Sequence, residues 1–125
     1  MHKSKLGGFI IDCQTTDLEG AAAFWGSALG MPVRALAEEG GIYRQLDDTR
    51  HGLQIEVQAV THPSRVHLDI ETDDIEAEVR RLEALGAKRV QRVRSWWVME
   101  APTGQRYCVV NAASKDFDLK ASRWP

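Results

Sequence analysis

"VHLDIETDDIEAEVRRLEALGAK", residues 66 to 88, begins on one rhythm and ends on another. Val66, Leu68 and Ile70 alternate with His67, Asp69 and Glu71, the period of two that marks a strand. From Asp73 onward the spacing lengthens, and Ile75, Val79, Leu82 and Leu85 form the apolar stripe of a helix. Asp73 or Asp74 supplies the N-cap and Gly86 the stop. An earlier stretch, "FIIDCQTTDLEGAAAFWGSALGMPV" at residues 9 to 33, makes the same change. There Asp17 is the N-cap, Leu18, Ala22, Trp25 and Leu29 the stripe, and Gly30 the stop. Asp17-Leu18-Glu19 matches Asp74-Ile75-Glu76 at an offset of 57, and Leu29-Gly30 matches Leu85-Gly86 at 56.

Three strand candidates follow each helix, at 32–38, 41–47 and 52–59, then at 87–93, 95–100 and 105–111. The last pair aligns as well, Gly52 to Glu56 against Gly104 to Cys108. The chain is therefore an internal repeat, each half reading βαβββ over about 55 residues. A half of that size buries little core alone. The expectation is one α+β domain over 1–125, with modules at about 7–60 and 65–112 and a tail at 113–125.

Composition narrows the function classes. The chain has 125 residues, 43% hydrophobic and 27% charged, the balance of a globular domain. Sixteen basic and eighteen acidic residues leave a net charge of -2, with no basic stripe for nucleic acid. No apolar run approaches the roughly 18 to 20 residues that span a bilayer. The N-terminal apolar stretch is too short for a signal peptide. A cytoplasmic location is the default. Cys13 and Cys108 lie in apolar strand-like runs, in no metal-ribbon spacing, and read as free thiols.

The repeat resembles the vicinal oxygen chelate superfamily, which includes glyoxalase I, extradiol dioxygenases and the bleomycin-resistance proteins. "IDCQTTDLEGAAAFWGSALGM" is similar to the first-module run in which Asp-Leu leads to an aromatic pair and a closing Leu-Gly. "VHLDIETDDIEAEVRRLEALGAK" is similar to the second-module strand that opens on histidine and ends on Asp-Asp. "APTGQRYCVV" is similar to the closing hairpin, with Ala101 and Cys108 departing from its two acidic positions. The wording is closest to glyoxalase-like proteins of unassigned activity. The resemblance implies that the two modules form a half-open mixed sheet barrel with the helices outside, and that a homodimer is common.

Alternation sorts the strands into two faces. Val66, Leu68 and Ile70, Phe9, Ile11 and Cys13, Leu53, Ile55 and Val57, and Tyr107 and Val109 should pack beneath the helices. The opposite face collects Asp12, Gln54, Glu56, His67, Asp69, Arg106 and Cys108, with apolar Ile10 and Val110 among them. Apolar walls with a few convergent polar groups are what a small-molecule site needs. A solvated sheet face gives the same pattern. Trp96 and Trp97 are adjacent and point to opposite faces, so one is a candidate aromatic wall.

The resemblance also implies a metal site with one ligand from each of four strands. Those positions fall on Ile10, Glu56, His67 and Cys108. Ile10 has no donor and Cys108 ligates only as a thiolate, so two ordinary ligands remain, and catalytic zinc typically takes three. This count favours a degenerate, metal-free site. Zinc, nickel, manganese or iron on Glu56 and His67 is the alternative. His2 reads as a floppy terminus, and His51 and His62 as solvated turn residues. The tail, with Phe117, Leu119 and Trp124, reads as docking on the body or on a second subunit.

Three functions compete. The first is a metal-independent protein for a small organic molecule, with Glu56 and His67 as catalytic acid–base groups. Asp12, Gln54, Asp69, Trp96, Trp97, Arg106 and Cys108 would contact the ligand. It would sequester the compound or catalyse an isomerase- or lyase-type step. The second is a metal-dependent lyase, isomerase or dioxygenase, and the third a non-enzymatic interaction module.

Overall fold

Two aspartates start the helices where the spacing places them. In the computed structural model, which describes residues 1–35, 41–48 and 51–125, the Asp17 side chain accepts from the Gly20 amide and that of Asp74 from the Ala77 amide. The described residues form nine strands and three helices, an α+β architecture. In chain order these are β1 (His2–Gln14), α1 (Leu18–Leu29), β2 (Val33–Ala35), β3 (Tyr43–Leu46), β4 (Gln54–Val60) and β5 (Arg65–Thr72). Then come α2 (Ile75–Ala84), β6 (Lys88–Val93), β7 (Trp96–Glu100), β8 (Arg106–Asn111), α3 (Phe117–Lys120) and β9 (Ser122–Trp124). The βαβββ order thus appears twice, as the repeat requires. The rest of the strand expected at 32–38 lies outside the described residues, as do Thr49 and Arg50 of the turn holding His51.

The chain divides into two compact units, Phe9–Val66 and Met1–Gly8 with His67–Pro125. In the first, which we call the N-half unit, β2, β3 and β4 pair antiparallel and β4 lies beside β1. Helix α1 packs on β2, β3 and β4. Its core is Ile11, Leu18, Ala22, Leu46, Ile55 and Val57. The inner helix face is Leu18, Ala22 and Gly26, whereas Leu29 is 43% exposed. The stripe expected to end on Leu29 ends instead on Gly26, because the chain turns back there. A Cβ on Gly26 would stand 2.8 Å from Val33 Cγ2 and 2.9 Å from the Met31 carbonyl oxygen. Gly30, at φ 67°, then closes the helix in the left-handed region as its sequence position requires.

In the second, the C-half unit, the order is β5-β8-β7-β6. Strands β5 and β8 run parallel while β7 pairs antiparallel with both β6 and β8, so the sheet is mixed. Helix α2 packs on β6, β7 and β8 over a core of Val79, Leu82, Met99, Tyr107 and Val109. Its buried face is Glu78, Val79 and Leu82, while Leu85 of the expected stripe is 67% exposed.

Two expectations are corrected here. Val66 and Leu68 are exposed, at 59% and 51%, although alternation assigns them to the helix-covered face. Alternation identifies a face but not how far a helix reaches, and α2 packs on β6, β7 and β8. Ile70 alone of that trio packs against the core. The other correction is His2, which is buried rather than floppy: its Nε2 lies 2.8 Å from the Glu78 carboxylate. Arg81 donates two hydrogen bonds to the same carboxylate, each 2.8 Å, and its guanidinium lies 3.9 Å over the Trp124 ring. Trp124 Nε1 donates to Ser4 Oγ at 2.8 Å, and β9 pairs antiparallel with the start of β1. The tail docks on the body through Trp124 and buried Phe117, while Leu119 is 90% exposed.

Candidate functional site

The C-half sheet settles which tryptophan points where. Trp97 pairs in register with Val109 and packs against the core beneath α2, with the Arg89 guanidinium 5.1 Å from its ring. Trp96 therefore points to the opposite face. Val98 shares that face and sits opposite Cys108, as Glu100 sits opposite Arg106. On the other side of β8, Asp69 is the register partner of Cys108. His67 lies two residues earlier on the same side of β5. His67, Asp69, Trp96, Arg106 and Cys108 are all half-buried, neither packed away nor fully solvated.

The centre of this face is compact. One ligand atom each from His67, Asp69 and Cys108 lie within 4.8 Å of one another, and His67 Nε2 is 3.7 Å from the Asp69 carboxylate. The His67 and Asp69 side chains are only 13% and 23% exposed. That is enough desolvation to strengthen their interaction while part of each side chain still meets solvent. Arg106 is not a bare cation: its Nε donates to Glu100 at 3.1 Å, so an incoming anion competes with that carboxylate.

Asp12, Gln54 and Glu56 belong to the N-half unit. Asp12 is 2% exposed, and its carboxylate lies 3.6 Å from Arg65 Nε. Gln54 and Glu56 are half-buried on β4, opposite the core residues Ile55 and Val57. Gln58, on the same side as Glu56, donates to the Tyr43 hydroxyl at 3.0 Å. The polar and apolar faces of β4 and β8 thus fall where alternation places them. Among the described residues, neither Cys13 nor Cys108 is in a disulfide. Burial pushes the Cys13 thiol up, a Trp25 hydrogen bond opposes this, and the charge of Asp12 adds to the rise.

The four ligand positions implied by the resemblance fit a divalent cation poorly as a set. Ile10 stands at one of them with an alkyl side chain 4% exposed, and an alkyl group supplies no donor. Asp69 was counted from sequence as a ligand contact only. The structure places its carboxylate in one cluster with His67 and Cys108. Its signal in the sequence was its alternation with His67, one strand step away.

A repeated βαβββ unit built into a mixed sheet with its helices packed on one face is the fold of the vicinal oxygen chelate class. The chain matches the Glyoxalase-like domain over residues 8–110, and it belongs to that family. No curated protein sequence matches it significantly. Among solved structures, it is similar to a hypothetical protein from Bacillus halodurans, with TM-score 0.61, 12% identity, and coverage of 89% of this chain and 96% of that one. A methylmalonyl-CoA epimerase in complex with methylmalonyl-CoA and NH4+ gives TM-score 0.56 at 15% identity, covering 90% of this chain and 97% of that one. The methylmalonyl-CoA epimerase from Mycobacterium tuberculosis gives 0.57 at 17%, covering 86% and 88%. At such identities the likeness is one of fold. No described helix is long and apolar enough to cross a membrane.

Proposed function

We propose that this glyoxalase-like protein binds a small organic anion on the polar face of its C-half unit. It then moves a proton on that compound, as an isomerase or lyase, or simply holds it in sequestration. The observation that carries this reading is the half-buried His67–Asp69 pair at 3.7 Å, on the same sheet face as Trp96 and Arg106. A carboxylate beside an imidazole orients the ring, and an imidazole so held is a suitable proton acceptor. Trp96 supplies a flat wall for a planar part of the ligand, and Arg106, shared with Glu100, its anion contact. Glu56 is the further acid–base group of this reading, a role that rests on the sequence alone. None of these steps requires a cation at the degenerate four-position set.

The proton-transfer reading has a direct assay. Carbonyl compounds with an acidic neighbouring C–H, methylmalonyl-CoA among them because fold neighbours are named for it, are incubated with the protein in heavy water. Loss of the C–H signal by proton NMR reports exchange. The expected result is catalysed exchange with at least one compound, reduced about 100-fold in His67→Ala, within the range general-base removal produces. Binding without exchange in any compound would leave sequestration as the function. Exchange unchanged in His67→Ala would contradict the proposed role. The same family reading supports a cytoplasmic homodimer, which light scattering on the purified chain and cell fractionation check.

A further inference from the structure

We propose that Arg94 and Trp96 grip the far end of the ligand, so that the polar face of the C-half unit selects an elongated organic anion ending in a planar group. This rests on the reading of that face as an organic-anion site, and it adds the ligand's length and shape. Register sets the length. Trp97 pairs with Val109 and Val98 with Cys108, while Arg106 is opposite Glu100. Trp96 and Glu100 stand four residues apart on β7, about 13 Å at the usual strand rise. His67 and Arg106 each lie two residues before the paired Asp69 and Cys108, on strands that run parallel. His67 and Arg106 thus share one end of the face, and Trp96 stands at the other.

The hairpin joining β6 to β7 puts Arg94 over this far end. Val93 and Trp96 are register partners, so Arg94 and Ser95 form a two-residue turn. Arg94 has φ 52°, the only positive φ at a non-glycine among the described residues. Glycine, asparagine or aspartate takes such a position with less strain. Strain of this kind clusters where a side chain serves binding rather than folding. Arg81, Arg89 and Arg106 are each tied to a glutamate, whereas Arg94 is exposed and, among the described residues, tied to none. Its guanidinium carbon lies 6.0 Å over the Trp96 ring, against 3.9 Å for Arg81 over Trp124. The close pair is a finished stack, and the loose one leaves a gap. A planar group between two such planes needs about 7 to 8 Å in all, a van der Waals spacing on each side. Turning the exposed Arg94 side chain by about 1 to 2 Å opens that space with no movement of the strands. The inserted group meets the indole on one face and the guanidinium on the other, and both hold a π-system better than a saturated ring.

The probes are ω-phenyloctanoate and ω-cyclohexyloctanoate, equal in charge and chain length and different only in the planarity of the ring. Binding is followed by NMR on the Trp96 indole and the Arg94 Nε–H. Each stacked neighbour adds about 3-fold in affinity, so wild type is expected to prefer the phenyl compound by about 10-fold. Phenylacetate and cyclohexylacetate are too short to reach from Arg106 to Trp96, and they should bind equally. Arg94→Lys keeps the charge, loses the planar guanidinium, and lowers the long-chain preference to about 3-fold. Arg94→Gly lowers it likewise, with an unchanged or raised urea midpoint, because the turn no longer holds a strained residue. A preference that stays near its wild-type value in both variants overturns the proposal and leaves the anion-binding reading intact. A full preference in the short pair overturns the assigned length. Binding of none of the four acids on this face overturns both readings.

Discussion

Glu78→Ala lowers the unfolding free energy of the protein by about 3 kcal/mol, the low end of the loss expected when one partner leaves a buried ion pair. The Glu78 side chain has no exposed surface, and it is held by His2 Nε2 and by two hydrogen bonds from Arg81. Removing it leaves the guanidinium and imidazole without their carboxylate beneath the tail strand. The low end applies because Arg81 is itself 26% exposed and water recovers part of the loss. Burial alone raises the Glu78 carboxyl, but hydrogen bonds from Arg81, His2 and Ser4 and the Arg81 charge together hold it below its ordinary 4.5. A depressed folded-state value means the carboxylate's contribution is complete above the unfolded value. It is lost as pH falls through the folded one. Urea unfolding of wild type and Glu78→Gln from pH 7 down to pH 3 should therefore show two curves that converge in acid. Tyr107 and Arg81 also face this group but stay protonated over that range, their values both raised. A constant gap between the curves would mean that Glu78 is not ionised in the fold.

Met99→Ala costs about 2 to 5 kcal/mol, and Val98→Ala, one residue away, under about 1.5. Met99 is fully buried between α2 and the sheet, where its removal leaves a cavity lined by Val79, Leu82 and Val109. Val98 is half-buried on the opposite face, beside Cys108, where a ligand or water can take the vacated space. The contrast tests which face of β7 is core, independently of any ligand. Equal losses at the two positions would mean that the polar face is packed as tightly as the core. It would then not serve as a binding surface. Guanidinium unfolding of the two variants, with slopes compared to wild type, makes the measurement.

The duplication, both N-caps, Gly30 and Gly86, and the polar–apolar division of β4 and β8 were legible in the sequence because each is local. Capping depends on a few neighbouring residues, and strand faces on a period of two. His2, Glu78 and the tail strand were not legible. Glu78 lies 76 residues from His2, and an acidic residue on a helix reads as solvated until a cation and a covering strand are known. The exposure of Val66 and Leu68 was hidden for a related reason. The alternation is sound, but the helix packs on other strands. At the candidate site, the sequence identified His67 and Cys108 and reckoned two ordinary ligands at four positions. Asp69 became the third member of the cluster only when the parallel pairing of β5 and β8 set it beside Cys108.

The central claim is that the face bearing His67, Asp69, Trp96, Arg106 and Cys108 is where this protein meets a small molecule. Amide and indole NMR spectra of the labelled protein, recorded against a library of small organic acids, test it most directly. The account predicts shifts concentrated on the Trp96 indole and on the amides of those five residues, with the Trp97 and Trp124 indoles unmoved. Shifts confined to another surface, such as the exposed Phe24 side of α1, or none from any compound, would contradict it.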